Sequence, residues 1–121
     1  MLLNILAVGA GGAIGSVCRY LFGQVALRGG GFPWGTMAVN VAGAFLMGIT
    51  VAVAGREAGM DPRLLLFLKV GVCGGFTTFS AFSMEAVDML QGGRAIEASA
   101  YIALSVALCA CALALAQWIA K

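Results

Sequence analysis

The sequence predicts an all-α membrane protein, a single domain over residues 1–121 with four transmembrane helices and a break in the third. Of its 121 residues, 62% are hydrophobic and only 10% are charged, whereas soluble domains carry about 25% charged residues. The mean hydropathy is +1.02. Because a helix needs about 20 apolar residues to cross a bilayer, this length allows about four passes. Short connections remain, with no room for a separate soluble domain.

A glycine-rich turn separates the first two predicted helices. The first helix runs from about Leu2 to Ala26 and lacks the basic segment with which a signal peptide begins. Arg28 and three glycines follow it. Pro33 then suits the first turn of a new helix, so the second helix is predicted from about Pro33 to Ala54.

A charged loop from Gly55 to Arg63 precedes the last two predicted helices. The third runs from about Leu64 to Leu90 and the fourth from about Ala95 to Ala120. Trp118, close to the end of the fourth, is typical of an interfacial anchor. Because the number of spans is even, both ends of the chain are expected on one side of the membrane.

Basic residues are divided almost evenly between the two predicted sides. The side with the termini holds Arg56, Arg63, Lys69 and Lys121, and the other holds Arg28, Arg94 and, leaning toward it, Arg19. An excess of lysine and arginine normally fixes the orientation of a membrane protein. So weak a bias is either chance in a short chain or a sign that the protein inserts in both orientations, and we favour the second interpretation.

Residues typical of enzymes are scarce. The chain has no histidine, which is the commonest general base in catalysis and a common metal ligand. The cysteines lie in apolar segments without Cys-x-x-Cys spacing and are interpreted as small packing residues; they are Cys18, Cys73, Cys109 and Cys111. We therefore expect no enzyme, and the net charge of +2 gives no reason to expect a nucleic-acid partner.

Glycines at four-residue spacing predict close helix packing. Gly11 and Gly15 share one helix face, as do Gly71 and Gly75, and small residues let transmembrane helices approach closely. The spacing leaves open whether the contacts lie within one chain or between two. Four short helices enclose too little space for a pore, so we expect an oligomer.

Two polar side chains within the predicted helices each have two interpretations. Arg19 would cost about 2.5–3.5 kcal/mol at mid-membrane, so it either reaches back to the interface or lies at the mouth of an anion pathway. The amide of Asn40, near the middle of the second helix, offers donors and an acceptor. It is either satisfied by an interhelical hydrogen bond or faces a polar pathway.

The segment GGFTTFSAFS, residues 74–83, is the most informative part of the sequence. Two glycines followed by hydroxyl residues predict a break, and irregular backbone at membrane depth occurs only where it is buried in protein or lines a cavity. Phe79 and Phe82 share a helix face, as do Thr77 and Ser80. Ring edges carry positive partial charge, so this arrangement suits an anion, although the aromatic pair alone is typical of core packing.

Three segments together resemble the CrcB or Fluc family of bacterial fluoride channels: GGAIGSVCRY at 11–20, GTMAVNVAGAF at 35–45 and GGFTTFSAF at 74–82. The resemblance covers essentially the whole chain. Ser16 and Ala81 depart from residues common in the family, without removing one that has an assigned role. The resemblance implies a fluoride-selective channel that exports fluoride passively across the bacterial inner membrane. It also implies an antiparallel homodimer of oppositely inserted copies, with two pores at their interface.

The resemblance also implies roles for individual residues. The implied pore-lining residues are Asn40, Phe79, Phe82 and Ser80, with Tyr101 and Ser105 as weaker candidates for the polar wall. Arg19 would lie near the vestibule. The backbone carbonyls of Gly74 and Thr77 from both copies would hold a structural sodium ion on the dimer axis.

Two other functions remain open from the sequence. A proton-coupled drug exporter of similar size needs a carboxylate within the membrane, but the first two predicted helices contain none. Glu85 and Asp88 lie near the end of the third helix, where water reaches them. A structural subunit of a larger membrane complex would not need polar residues such as Thr77 and Ser80 along one helix face. We therefore favour the channel.

Overall fold

The fold consists of helices throughout the described part of the chain. The computed structural model describes residues 1–25, 31–56 and 59–121. In chain order its elements are α1 (Leu2–Val25), α2 (Trp34–Arg56), α3 (62–76, made of Pro62–Leu65, the π-helical Leu66–Cys73 and Gly74–Phe76), α4 (Phe79–Gln91) and α5 (Ala95–Ile119). Four segments are long and apolar enough to cross a membrane, with α3 and α4 together forming the third. The predicted four-helix architecture with a broken third span is confirmed.

Helix boundaries follow from proline, glycine and capping residues. α2 begins directly after Pro33. α3 begins at Pro62, two residues before the predicted start, because the Asp61 side chain accepts a hydrogen bond from the Arg63 backbone N–H and proline suits the first helical position. Gly93, with φ of +75°, forms the tight turn between α4 and α5. The predicted turn around Arg28 lies outside the described residues.

A seam of glycines joins α1 to α3. A Cβ atom added to Gly15 would lie 2.2 Å from the Val72 carbonyl oxygen, and one added to Gly75 would lie 2.6 Å from the Gly12 carbonyl oxygen. Gly11 and Gly71 approach each other in the same way. The four-residue glycine spacing therefore serves packing within one chain, which the sequence had left open.

α2 and α5 run in the same direction and pack side by side. Gly48 lies against the Leu113 backbone, where an added Cβ would come within 2.6 Å of its carbonyl oxygen. At their C-terminal ends, the Arg56 guanidinium donates to the Ala120 carbonyl at 2.8 Å. This register brings Asn40, in the N-terminal half of α2, beside the N-terminal half of α5.

The break in the third span begins later than its two glycines. Gly74 keeps helical angles (φ −64°, ψ −39°), whereas Thr77 (φ −81°, ψ 158°) and Thr78 (φ −149°, ψ 118°) are extended. The expectation of a break starting at the glycines is corrected, because Gly75 is packed against α1 and remains helical. The backbone departs from the helix only where another helix supplies new hydrogen-bond partners.

Candidate functional site at the helix break

The Asn40 side chain replaces the helical hydrogen bonds that Thr78 loses. The Thr78 backbone N–H donates to Asn40 Oδ1 at 2.7 Å, and Asn40 Nδ2 donates to the Thr78 carbonyl at 3.0 Å. The amide therefore makes the interhelical bonds that the sequence allowed as one interpretation. Nδ2 carries two hydrogens, and one of them is used in the bond to Thr78. Among the described residues, the second N–H therefore remains for a ligand.

Arg19 holds the other side of the break. Its Nη1 donates to the Thr77 carbonyl at 3.3 Å, and the side chain is half-buried. The Thr77 hydroxyl donates to the Cys73 carbonyl at 3.0 Å. Both threonines of the break are thus fixed through their backbone by side chains from other helices, Arg19 from α1 and Asn40 from α2.

A cavity of about 350 Å³, the break cavity, opens beside these residues. It is lined by Asn40, Gly43, Ala44, Met47, Thr77, Thr78, Phe79, Phe82, Ser105, Val106, Cys109 and Leu113. None of these lining residues carries a formal charge. Four of the predicted pore-lining residues, Asn40, Phe79, Phe82 and Ser105, are brought together on its wall.

Ser105 lies on this wall, and its hydroxyl has no hydrogen-bond partner in the described part of the chain. Ser105 is 4% exposed, and its Oγ makes no hydrogen bond to the described residues. A buried polar group left unsatisfied costs about 1–3 kcal/mol, so such groups in native structures usually meet water or a ligand. The oxygen atom is itself buried, so Ser105 holds an unused hydroxyl within the wall of the cavity.

Phe79 and Phe82 differ in their environment although they share a helix face. Their ring centroids are 5.5 Å apart, and Phe82 also lies 5.1 Å from the Tyr101 ring. Phe82 is 8% exposed, whereas Phe79 is 78% exposed. Core packing accounts for Phe82, but it does not account for Phe79.

Two further predicted residues lie outside the lining of the break cavity. Ser80 is exposed, with its hydroxyl 3.3 Å from that of Thr78. Tyr101 is fully buried, and its hydroxyl donates to Glu85 at 2.7 Å. The Tyr101 hydroxyl is therefore already engaged in this structure.

Glu85 and Thr36 form a polar connection that sequence reasoning missed. The Thr36 hydroxyl donates to the second carboxylate oxygen of Glu85 at 2.6 Å, so α2 and α5 both bind this carboxylate on α4. A signal for this connection is present in the helical spacing, because Thr36 lies one turn before Asn40 and Glu85 lies three residues after Phe82. The sequence alone places Glu85 near the end of the third helix, where water reaches it, and does not predict these two partners.

A second cavity of about 330 Å³ lies on the side of the break nearer the start of α2. Arg19, Thr36 and Glu85 line it, together with Trp34. Thr78 lines both cavities. The break thus lies between two openings that extend toward opposite ends of α2.

Cys109, interpreted from the sequence as a small packing residue, lies close to the break. It is half-buried and lies on the wall of the break cavity, four residues after Ser105 and so on the same face of α5. The four-residue spacing was visible in the sequence, but only the position of α5 beside the break shows what that face contacts.

Backbone carbonyls are the metal ligands available at the break. The described residues contain no group of three or more His, Cys, Asp or Glu side chains placed to hold a metal ion. The Thr78 N–H is engaged by Asn40, so the Gly74 carbonyl lacks the amide that would follow it in a regular helix. The Thr77 carbonyl accepts one bond from Arg19 and has a second lone pair.

Comparison with known proteins places these features in a family. The family described as CrcB-like protein, Camphor Resistance (CrcB), matches residues 6–117. The fluoride-specific ion channel FluC of Rhizobium meliloti (strain 1021) is 50% identical over 107 residues, covering 87% of this chain and 86% of the relative. FluC of Geobacter sulfurreducens is 50% identical over 108 residues, which cover 88% of this chain and 87% of the relative. FluC of Ruminiclostridium cellulolyticum is 38% identical over 122 residues, which cover 99% of this chain and 94% of the relative.

Proposed function

The chain belongs to the CrcB family, and on that premise we propose that it is a fluoride-selective ion channel through which fluoride leaves the cytoplasm passively. It is a multi-pass protein of the bacterial inner membrane. The observation in the structure that carries the proposal is the break cavity, which has no charged lining residue and whose wall includes Asn40, Phe79 and Ser105. The family is one of ion channels, which is not an enzyme class.

The chemistry of the cavity suits a small anion that must leave as readily as it enters. Moving an ion out of water into low dielectric costs tens of kcal/mol, so a path needs hydrogen-bond donors along its length. Ser105 and Asn40 offer donors, and Phe79 and Phe82 offer positively polarised ring edges. Because these groups are neutral, none of them traps the ion as a fixed lysine or arginine would.

The remaining predicted residues take supporting roles in this proposal. Arg19 lines the second cavity, where its charge attracts anions to the vestibule, and it also fixes the break through Thr77. Tyr101 supports Phe82 by ring contact. Ser80 extends the polar wall on the exposed side of the break.

We further propose that the channel is an antiparallel homodimer of oppositely inserted copies. The exposure of Phe79, Ser80 and Gly74 supports this, because the hydroxyl of Ser80 and the backbone beside the break would otherwise face lipid. Polar backbone exposed to hydrocarbon is costly. A second copy covering this face completes the wall of each pore.

A sodium ion on the dimer axis fits the carbonyls at the break. The Gly74 and Thr77 carbonyls of two copies would hold it. The Gly74 carbonyl lacks its helical N–H partner, and the Thr77 carbonyl keeps an unused lone pair. Carbonyls freed by helix breaks coordinate sodium in membrane transporters. When bound, the ion would link the two copies through these carbonyl oxygens.

Fluoride efflux from liposomes tests the proposed function. Purified protein in vesicles loaded with potassium fluoride should release fluoride to an external electrode once valinomycin allows potassium to follow. Release should need neither ATP nor a proton gradient, and chloride-loaded vesicles should stay nearly silent. Equal release of chloride would contradict fluoride selectivity. Fluoride movement only with an imposed proton gradient would instead indicate coupled transport, for which Glu85 would be the first carboxylate to examine.

A further inference from the structure

Lys69 is a charged side chain within the third span that has no partner in the described part of the chain. It is exposed and takes part in no hydrogen bond or ion pair there. A charge inside a membrane is costly unless it reaches a partner or water. The described arginines, in contrast, all bind a carbonyl or a carboxylate of the same chain; they are Arg19, Arg56, Arg63 and Arg94.

Asp88 is a carboxylate on α4 that also lacks an ionic partner among the described residues. It is exposed and lines a cavity of about 310 Å³ together with Arg94, but Arg94 is paired with Glu97 instead. The other described carboxylates all accept hydrogen bonds within the chain; they are Asp61, Glu85 and Glu97. One lysine and one aspartate are thus left in the third span, on either side of the break.

Lys69 lies on the same face of α3 as Gly74. The two residues are five apart, which is the hydrogen-bonding repeat of the π-helical segment between them, and both are exposed. Gly71 marks the opposite side of the helix, because it packs against Gly11 of α1. Lys69 therefore belongs to the face that a second copy covers in the proposed dimer.

An antiparallel arrangement about the break brings the two opposite charges to similar depth. A twofold axis at the break places residues before Thr77 in one copy level with residues after Thr78 in the other. Lys69 lies eight residues before Thr77, and Asp88 lies ten residues after Thr78. Because Cα–Cβ bonds tilt toward the helix N-terminus, the Lys69 side chain leans away from the break and that of Asp88 leans toward it. The two side chains of different copies therefore converge.

We propose that Lys69 of each copy forms an ion pair with Asp88 of the other, so that the dimer contains two such pairs related by its axis. The proposal rests on the antiparallel homodimer of the proposed function and names the charges that select its partner. A parallel dimer would instead place Lys69 level with Lys69 and Asp88 level with Asp88. Like charges facing each other across an interface weaken association, so this pair favours the antiparallel arrangement.

Charge reversal tests the pair through the choice of partner. Lys69→Glu and Asp88→Lys are produced in the same cells with different affinity tags, and mixed and like dimers are separated after purification in detergent. Each variant forms like dimers with two repulsive contacts, whereas the mixed dimer has two attractive ones. The ratio of mixed dimers to the geometric mean of the two like dimers should exceed that of two tagged wild-type chains at least about tenfold.

Lys121→Glu is the matched control for Lys69→Glu. Lys121 is also exposed and lies on the same predicted side of the membrane, so its reversal changes the net charge equally without touching the pair. Together with Asp88→Lys it should give the wild-type ratio. A wild-type ratio for Lys69→Glu with Asp88→Lys overturns the ion pair while leaving the dimer intact, and it assigns Lys69 to lipid headgroups or water.

A chain that carries both substitutions shows whether the reversed charges are tolerated. In detergent, where the copies turn freely, this double variant should dimerise with itself as the wild type does, because both pairs are restored with opposite sign. A dimer fraction no higher than that of the single variants overturns the pair. A wild type without any dimer overturns the proposed homodimer and the pair together. None of these measurements uses fluoride, so a failed efflux test leaves the result on the ion pair intact.

Discussion

At the residue scale, Asn40 is the side chain whose replacement has the clearest consequence. Its amide both accepts from and donates to the Thr78 backbone. A carboxylate of the same size keeps the acceptor but loses the donor, and it places a negative charge beside the Thr78 carbonyl and the anion path. The lost hydrogen bond and the added negative charge should therefore both lower fluoride efflux.

We expect Asn40→Asp to abolish measurable fluoride efflux. The lost hydrogen bond alone is worth about 0.5–1.5 kcal/mol, and repulsion of the permeating anion adds to it. Efflux from liposomes is the measurement, with Asn4→Asp as the control because Asn4 is exposed near the start of α1. Efflux by Asn40→Asp close to that of the control would remove Asn40 from the path.

The different burial of Phe79 and Phe82 separates their expected mutant phenotypes. Phe82→Ala should lower both stability and efflux, because removing a buried phenylalanine costs about 3–5 kcal/mol in well-packed cores. Phe79→Ala should lower efflux strongly with a smaller loss of stability than Phe82→Ala, because Phe79 is 78% exposed within the single chain. Thermal unfolding in detergent and liposome efflux, measured on both variants, distinguish these outcomes. A Phe79→Ala variant with normal efflux would show that the exposed ring is not part of the path.

At the element scale, the seam between α1 and α3 determines where the break can form. Close approach of the two helices keeps residues 74–76 helical and leaves the extended conformation to Thr77 and Thr78. Arg19 on α1 then reaches the Thr77 carbonyl. A change in helix separation would therefore move the arginine away from the break as well as weaken packing.

Gly15→Ala tests this coupling. Its Cβ would lie 2.2 Å from the Val72 carbonyl and 2.8 Å from the Phe76 amide nitrogen, so the backbones must separate, at a cost of about 1–3 kcal/mol or more. The variant should unfold at lower temperature and lose efflux. Gly9→Ala is the control, since nothing lies within 4 Å of its added Cβ. Equal unfolding temperatures for the two variants would contradict the close seam.

At the scale of the whole molecule, the distribution of positive charge bears on orientation. Arg56 and Ala120 are hydrogen-bonded at one end of the helices, while Arg94 contacts the Gly31 carbonyl and Glu97 at the other. Arg28, which the sequence assigned to this second end, lies outside the described residues. Neither end carries a dominant excess of basic residues.

We therefore expect reporters fused to the C-terminus to be found on both sides of the membrane. Introducing two lysines in the connection before α3, as Gly59→Lys with Met60→Lys, should bias insertion to one orientation. Because an antiparallel dimer needs both orientations, efflux per cell should then fall. A wild-type reporter confined to one side would contradict dual insertion. Two acidic substitutions at the same positions provide the control, because acidic residues contribute little to orientation.

The sequence by itself determined the architecture of this protein. Its hydrophobic segments fixed four spans, because only a helix satisfies its own backbone hydrogen bonds in hydrocarbon. Asn40 and the polar segment around Thr77 were recognisable because polar residues at membrane depth are costly and usually functional.

Only the tertiary structure decided how those residues are used. The glycine spacing was compatible with contacts within or between chains, and the position of α1 against α3 assigned it to one chain. The same holds for the break at Thr77 and for Cys109, because each depends on what a neighbouring helix presents. Local sequence sets which backbone conformations and side-chain chemistries are available, whereas hydrogen-bond partners and cavities arise only when distant segments pack together.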